Sequence, residues 1–161
     1  MGLYFACMGV FSLIVTFWEF MFEEGDMLTE VLNAEDIKYI RSKYEGNSLG
    51  CAENIVRYLK SMGILAAVAF LENDNCFLNS ITIKNEFDDK YYQRPFHAVV
   101  FLGSCIMDVL NTDRLIASSE YIQQLERLNP KLRLETAYAS EFPNSDGYFI
   151  PLTLDFIKNY K

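Results

Sequence analysis

Two short apolar segments, residues 97–102 and 105–110, stand on either side of the pair Gly103-Ser104. A two-residue turn that begins with glycine is typical of β-hairpins, because its first position needs the positive φ that glycine adopts without strain. The two segments are therefore predicted to pair as antiparallel strands. Because side chains alternate between the two faces of a strand, this pairing also fixes which residues share a face.

The predicted register brings the only histidine of the chain, His97, close to a carboxylate. Val99 lies opposite Asp108, and His97 lies opposite Leu110, so His97 and Asp108 are diagonal neighbours on one face. Diagonal neighbours are about 7–8 Å apart along the backbone, a gap that long side chains bridge. Asp108 is thus placed to accept a hydrogen bond from the ring and fix its tautomer, as in the base and orienting acid of a catalytic triad.

A helix is predicted after the small and polar residues 45–50. Apolar side chains recur at helical spacing through Ile55, Val56 and Leu59, and Gly63 is a typical helix stop. Either Ser48 or Gly50 is expected to cap the start.

Cys51 falls in the first turn of this helix. There the free backbone N–H groups and the positive end of the helix dipole lower the pKa of a thiol. The same setting stabilises an oxyanion, so we expect the Cys51 N–H to contribute there, with Asn47 and Ser48 as further candidate donors.

The other cysteines fit a nucleophilic role less well. Cys105 lies on the face of the hairpin opposite His97, Cys76 lies in a polar loop, and Cys7 lies in a long apolar segment. A purely structural interpretation remains open, in which Cys51 is a small buried residue and His97 a hydrogen-bonded core histidine.

The stretch from Asn47 to Leu128 resembles the papain-like fold cysteine hydrolases, and within them the bacterial papain-fold toxin and deamidase-effector group. The resemblance is carried by three short motifs: Gly50-Cys51-Ala52, His97-Ala98-Val99-Val100 and Met107-Asp108.

It implies that Cys51 attacks a carbonyl, that His97 takes and returns the proton, and that Asp108 orients His97. The fold class expected is α+β, with the helix that bears the cysteine packed on an antiparallel sheet that bears the histidine and the aspartate.

Composition excludes several functions. The 161 residues carry a formal charge of −8 with a pI near 4.6, which repels a phosphate backbone, so nucleic acid is not expected as a partner. Four cysteines without a Cys-x-x-Cys spacing and a single histidine do not make a zinc site, and neither a metal nor another cofactor is expected. Nothing indicates a disulfide framework, so we expect reduced thiols.

Residues 1–26 are predicted to form an apolar N-terminal helix ahead of a catalytic domain at residues 27–161. Within residues 3–22 the only charge is Glu19, and twenty such residues can cross a bilayer. An uncleaved membrane anchor and a helix that packs on the domain or on a partner both remain open. The location of the protein is equally open between membrane-anchored, secreted and cytoplasmic.

The remaining pattern predicts further elements. They are a helix at residues 34–44, strands at 64–71 and 80–84, a polar connecting loop at 85–95, a helix at 118–128 and a strand that begins at 132.

Taken together, the sequence predicts a thiol-dependent hydrolase of an amide in a protein substrate, either a peptidase or a glutamine deamidase. The resemblance to toxins adds an inhibitory partner protein to the expected partners. The alternatives are an acyltransferase with the same three residues and a non-catalytic, acidic interaction domain of the immunity-protein kind, tethered to a membrane or free.

Overall fold

The structure is a computed structural model, which describes residues 28–75, 78–135, 141–143 and 149–160. Residues 28–33 are helical. They are followed by the helices α1 (Glu35–Lys43), α2 (Ser48–Ser61), α3 (Ser118–Leu128) and α4 (Leu154–Asn159). The strands are β1 (Ala67–Asn73), β2 (Ile81–Asn85), β3 (Lys90–Arg94), β4 (His97–Phe101), β5 (Cys105–Met107), β6 (Leu115–Ala117), β7 (Leu132–Glu135), β8 (Glu141–Pro143) and β9 (Phe149–Pro151).

The centre of the fold is a five-stranded sheet with the order β6-β5-β4-β1-β7. Its neighbouring strands are antiparallel. The hairpins β2-β3 and β8-β9 form separate two-stranded sheets. The expected α+β class with an antiparallel sheet is therefore confirmed.

Each face of the central sheet has its own apolar cluster. One cluster joins Ala98, Val100 and Met107 to the buried face of α2. The other joins Val99, Phe101 and Ile106 to side chains of α3 and α4. Because helices cover both faces, every residue of β4 is buried, which explains its unbroken apolar run. The C-terminal helix α4 covers part of this second face, since Ile157 is fully buried there.

The hairpin β4-β5 has the predicted register. Val100 pairs with Met107 and Phe101 with Ile106. At the turn, Gly103 has a φ of +89°, and the Leu102 N–H donates to the carbonyl of Cys105 at 3.0 Å. The glycine-first turn therefore sets the pairing, as the sequence indicated.

Helix α2 begins one residue earlier than a Ser48 cap would place it and three residues earlier than a Gly50 cap would. The N-cap is Asn47, whose Oδ1 accepts a hydrogen bond from the Gly50 N–H at 3.0 Å. The expectation of a Ser48 or Gly50 cap is therefore wrong. The predicted stop is correct, because Gly63 has a φ of +78° and the Ile64 N–H returns to the Leu59 carbonyl at 3.0 Å.

The polar connection predicted at residues 85–95 is largely a strand. β3 pairs antiparallel with β2 across five residue pairs, from Ile81 with Arg94 to Asn85 with Lys90. Its residues are mostly exposed, so no alternation of buried and exposed side chains reveals the strand in the sequence.

The predicted N-terminal helix at residues 1–26, with its membrane role, lies outside the described residues, as do Cys7 and Cys76. None of the helices in the described ranges combines the length and apolar composition that a bilayer crossing requires.

Candidate active site

His97 and Asp108 are joined by a buried hydrogen bond. His97 Nε2 lies 2.9 Å from Asp108 Oδ2, and both side chains are almost fully buried. His97 begins β4, and Asp108 directly follows the last residue of β5. The hairpin thus brings together the two side chains that its register placed on one face.

The carboxylate of Asp108 receives three further hydrogen bonds. Asn111 Nδ2 donates to Oδ1 at 3.0 Å and to Oδ2 at 3.1 Å, and the Tyr121 hydroxyl donates to Oδ2 at 2.8 Å. Burial raises the pKa of Asp108, but the attraction of His97 and these hydrogen bonds outweigh it and hold that pKa below its ordinary value of 3.8. Asp108 is therefore ionised at neutral pH.

Sequence reasoning did not find Asn111 or Tyr121. Tyr121 lies beside Ile122 on the apolar stripe of α3, and a phenol in such a position needs a buried hydrogen-bond partner. Asn111 follows Asp108 by three residues and donates back to it across a turn. Both features are visible in the sequence, but neither indicates Asp108 as the partner.

The other ring nitrogen of His97 is the one available for proton transfer. An ionised Asp108 accepts from Nε2–H, so in the neutral ring Nδ1 carries the lone pair. Nδ1 has no hydrogen-bond partner among the described residues.

His97 opens onto a cleft of about 430 Å³. One wall is the loop before α2 with the helix start, and it includes Asn47 and Ser48, the two candidate oxyanion donors. The opposite wall belongs to the β2-β3 hairpin and includes Tyr92 and Arg94. Ser48 Oγ also accepts a hydrogen bond from the Ala98 N–H at 3.1 Å, which holds the start of α2 against β4.

Cys51 lies close to this site but outside the cleft. Its side chain is 2% exposed and packs in the cluster of Ala98 and Val100, whereas His97 shares its strand face with Val99. No hydrogen bond joins Cys51 to His97 in the described part of the chain. The structure thus brings His97, Asp108 and the candidate oxyanion donors together, but it leaves the Cys51 thiol buried outside the cleft.

The expectation of a lowered thiol pKa is wrong for this conformation. Burial, and then the negative charge of Asp108, raise the pKa of Cys51 from 9.0 to about 12, although Arg41 acts in the opposite direction. The thiol is therefore neutral at physiological pH.

The expectation that the Cys51 N–H serves the oxyanion is also wrong, because it donates to the Asn47 carbonyl at 3.0 Å. The cause is the early helix start, which makes Cys51 the fourth helical residue. The N–H groups of Ser48 and Leu49, one and two residues after the cap, have no hydrogen-bond partner among the described residues.

Gly50 leaves room for the cap of α2. A Cβ at this position would lie 2.8 Å from Asn47 Nδ2 and 2.8 Å from a ring carbon of Tyr44. We therefore expect Gly50→Ala to displace Asn47 and to lower the free energy of unfolding by about 1–2 kcal/mol, despite the better helix propensity of alanine. Urea denaturation measures this loss.

A double-mutant cycle tests the cause. In an Asn47→Ala background one of the two clashes is absent, so the cost of Gly50→Ala should fall by about 0.5 kcal/mol or more. Strictly additive costs would show that the Asn47 side chain does not limit the size of residue 50.

Comparisons with family models, with curated proteins and with solved structures found no match to this chain.

Proposed function

We propose that this chain is a cysteine hydrolase that acts on an amide carbonyl of a protein target. Cys51 is the nucleophile, His97 the general base and acid, and Asp108 the group that orients His97. One observation carries the proposal: Nε2 of His97 is held by a buried carboxylate, and His97 lines a cleft at the start of the helix that bears Cys51.

In the proposed reaction His97 Nδ1 takes the proton of Cys51 as Sγ attacks the carbonyl carbon. The oxyanion is stabilised by the free N–H groups of the first turn of α2 and by Asn47 Nδ2. His97 returns the proton to the leaving nitrogen, and the amine or ammonia departs. His97 then takes a proton from water, whose oxygen attacks the thioester carbon. As the C–S bond breaks and the acid is released, His97 returns that proton to Sγ. Asp108 stabilises the imidazolium in both steps.

The high pKa of Cys51 makes the base essential. At pH 7, about five units below that pKa, roughly one thiol in 10⁵ is ionised. A resting thiolate therefore cannot supply the nucleophile, and proton transfer to His97 must accompany the attack.

A non-catalytic interaction domain is the second candidate, and the burial of Cys51 favours it. A thiol that is 2% exposed with a pKa of about 12 is also what a packing residue shows. In this case the hydrogen bonds of Asp108 stabilise the fold alone, and the acidic surface, with a formal charge of −8, binds a partner.

The two candidate functions predict different results when the protein is incubated with a mixture of many peptides. We expect the full chain, incubated with a proteome-derived peptide library, to produce new peptide termini or glutamine-to-glutamate conversions that mass spectrometry detects. These products should vanish with Cys51→Ala and persist with Cys105→Ala, which removes the thiol of a cysteine outside the site. Identical product lists from wild type and Cys51→Ala would contradict the hydrolase and leave the interaction domain.

A further inference from the structure

We propose that Leu110 is a gate between the cleft and Cys51, and that the β2-β3 hairpin holds this gate closed in the free protein. Leu110 is thus a residue that determines which molecules reach the nucleophile. The inference takes the role of Cys51 from the proposed function.

The cleft and the space beside Cys51 are separate, and we call the residues common to both linings the partition. A second void, of about 10 Å³, lies beside Cys51, and Ser48 and Leu110 are the residues that line both this void and the cleft. A single water molecule needs about 10–15 Å³ of such space. The space beside Sγ is therefore too small for a substrate carbonyl in this conformation.

Of the two residues that form the partition, Leu110 is the one that can move. Ser48 is fixed between the start of α2 and the N–H of Ala98 in the central sheet. Leu110 instead lies in the turn after Asp108, outside the regular strands, and its carbonyl accepts a 3.4 Å hydrogen bond from Asn85 Nδ2.

The hairpin β2-β3 fastens this turn. The Glu86 N–H donates to the Asn111 carbonyl at 2.8 Å. The Glu86 carboxylate binds the Thr112 hydroxyl at 2.6 Å and the Arg114 guanidinium at 2.8 Å. On its other side, the hairpin turn is held by Phe87, whose ring lies 3.9 Å from the guanidinium of Arg41 on α1.

The same hairpin forms a wall of the cleft, through Tyr92 and Arg94. It is a separate two-stranded sheet, so a shift of the hairpin breaks no backbone pair of the central sheet. A polypeptide segment that enters the cleft against Tyr92 and Arg94 therefore pushes on the element that holds Leu110. Substrate binding and opening of the path to Cys51 are coupled in this way.

Alkylation of Cys51 by iodoacetamide, followed by mass spectrometry of the labelled peptide, tests the gate. Leu110→Ala should raise the labelling rate about tenfold or more at pH 8, because it opens a path for the reagent and hydrates the thiol. Leu115→Ala is the matched control. Leu115 packs against the same cluster and lines neither space. The labelling rate of Cys51 in Leu115→Ala should therefore stay within about twofold of wild type.

Urea separates the gate from global unfolding. Labelling through a small local opening depends little on urea below the unfolding transition, whereas labelling through the unfolded state rises steeply. The excess rate of Leu110→Ala should therefore be nearly independent of urea. Glu86→Gln, which weakens the attachment of the hairpin, should raise labelling several-fold with the same urea independence.

Equal labelling of Leu110→Ala and Leu115→Ala would overturn the gate, as would an excess that follows global unfolding. These outcomes are independent of the peptide-library test. Faster labelling of Leu110→Ala without Cys51-dependent products would leave the gate in place and reject the hydrolase. Cys51-dependent products together with an unchanged labelling rate in Leu110→Ala would reject the gate and support the hydrolase.

Discussion

His97→Ala is expected to lower the Cys51-dependent rate of product formation by about a thousandfold or more, because it removes the base that takes the thiol proton. The wild-type thiol has a pKa of about 12, so at neutral pH almost no thiolate forms without that base. The rate is measured on the library products that Cys51→Ala abolishes. His97→Gln is the matched control for packing, since its amide keeps a polar group near Asp108 but cannot accept the proton.

A pH profile distinguishes loss of the base from loss of structure. Without His97, the residual rate should follow the fraction of Cys51 that is ionised, and should therefore rise about tenfold per pH unit between pH 7 and 9. The wild-type rate should rise much less over that range. A flat profile in His97→Ala, or a loss of activity smaller than about tenfold, would contradict the assigned role of His97.

The sequence correctly predicts the pairing of His97 with Asp108, because this part of the site depends on one local turn. Gly103-Ser104 fixes the register of β4 and β5, and with a period of two that register decides which side chains meet. His97 and Asp108 follow from it directly. The stop of α2 at Gly63 is equally local, because a positive φ and two returning hydrogen bonds suffice to end a helix.

The environment of Cys51 is not local, and the sequence prediction of it is wrong. Because Asn47 caps α2, the helix begins three residues before Cys51. The Cys51 N–H therefore donates a hydrogen bond to the Asn47 carbonyl. Cys51 is buried beside β4 and the turn after Asp108, which are distant from it along the chain. The pKa depends on these contacts rather than on the helix position alone.

Asp108→Asn is expected to destabilise the fold by roughly 1–3 kcal/mol at pH 7, the cost of leaving buried hydrogen-bond donors without an acceptor. The carboxylate accepts from His97, Asn111 and Tyr121, and an amide in its place turns one acceptor into a donor that faces these donors. Urea denaturation measures the loss. Glu126→Gln is the control, because this half-exposed carboxylate pairs with Lys158 and should cost at most about 1 kcal/mol.

The cost of Asp108→Asn should also depend on pH in one direction. The folded-state pKa of Asp108 lies below its ordinary value of 3.8, so its ionised form stabilises the fold fully above that value and progressively less as the pH falls through the folded-state pKa. The contribution of the Asp108 carboxylate to the difference in unfolding free energy between wild type and Asp108→Asn should therefore shrink as the pH falls below about 4. A difference that grows as the pH falls from about 4 to about 2 would mean that the fold holds Asp108 protonated, and a protonated Asp108 could not stabilise the imidazolium of His97.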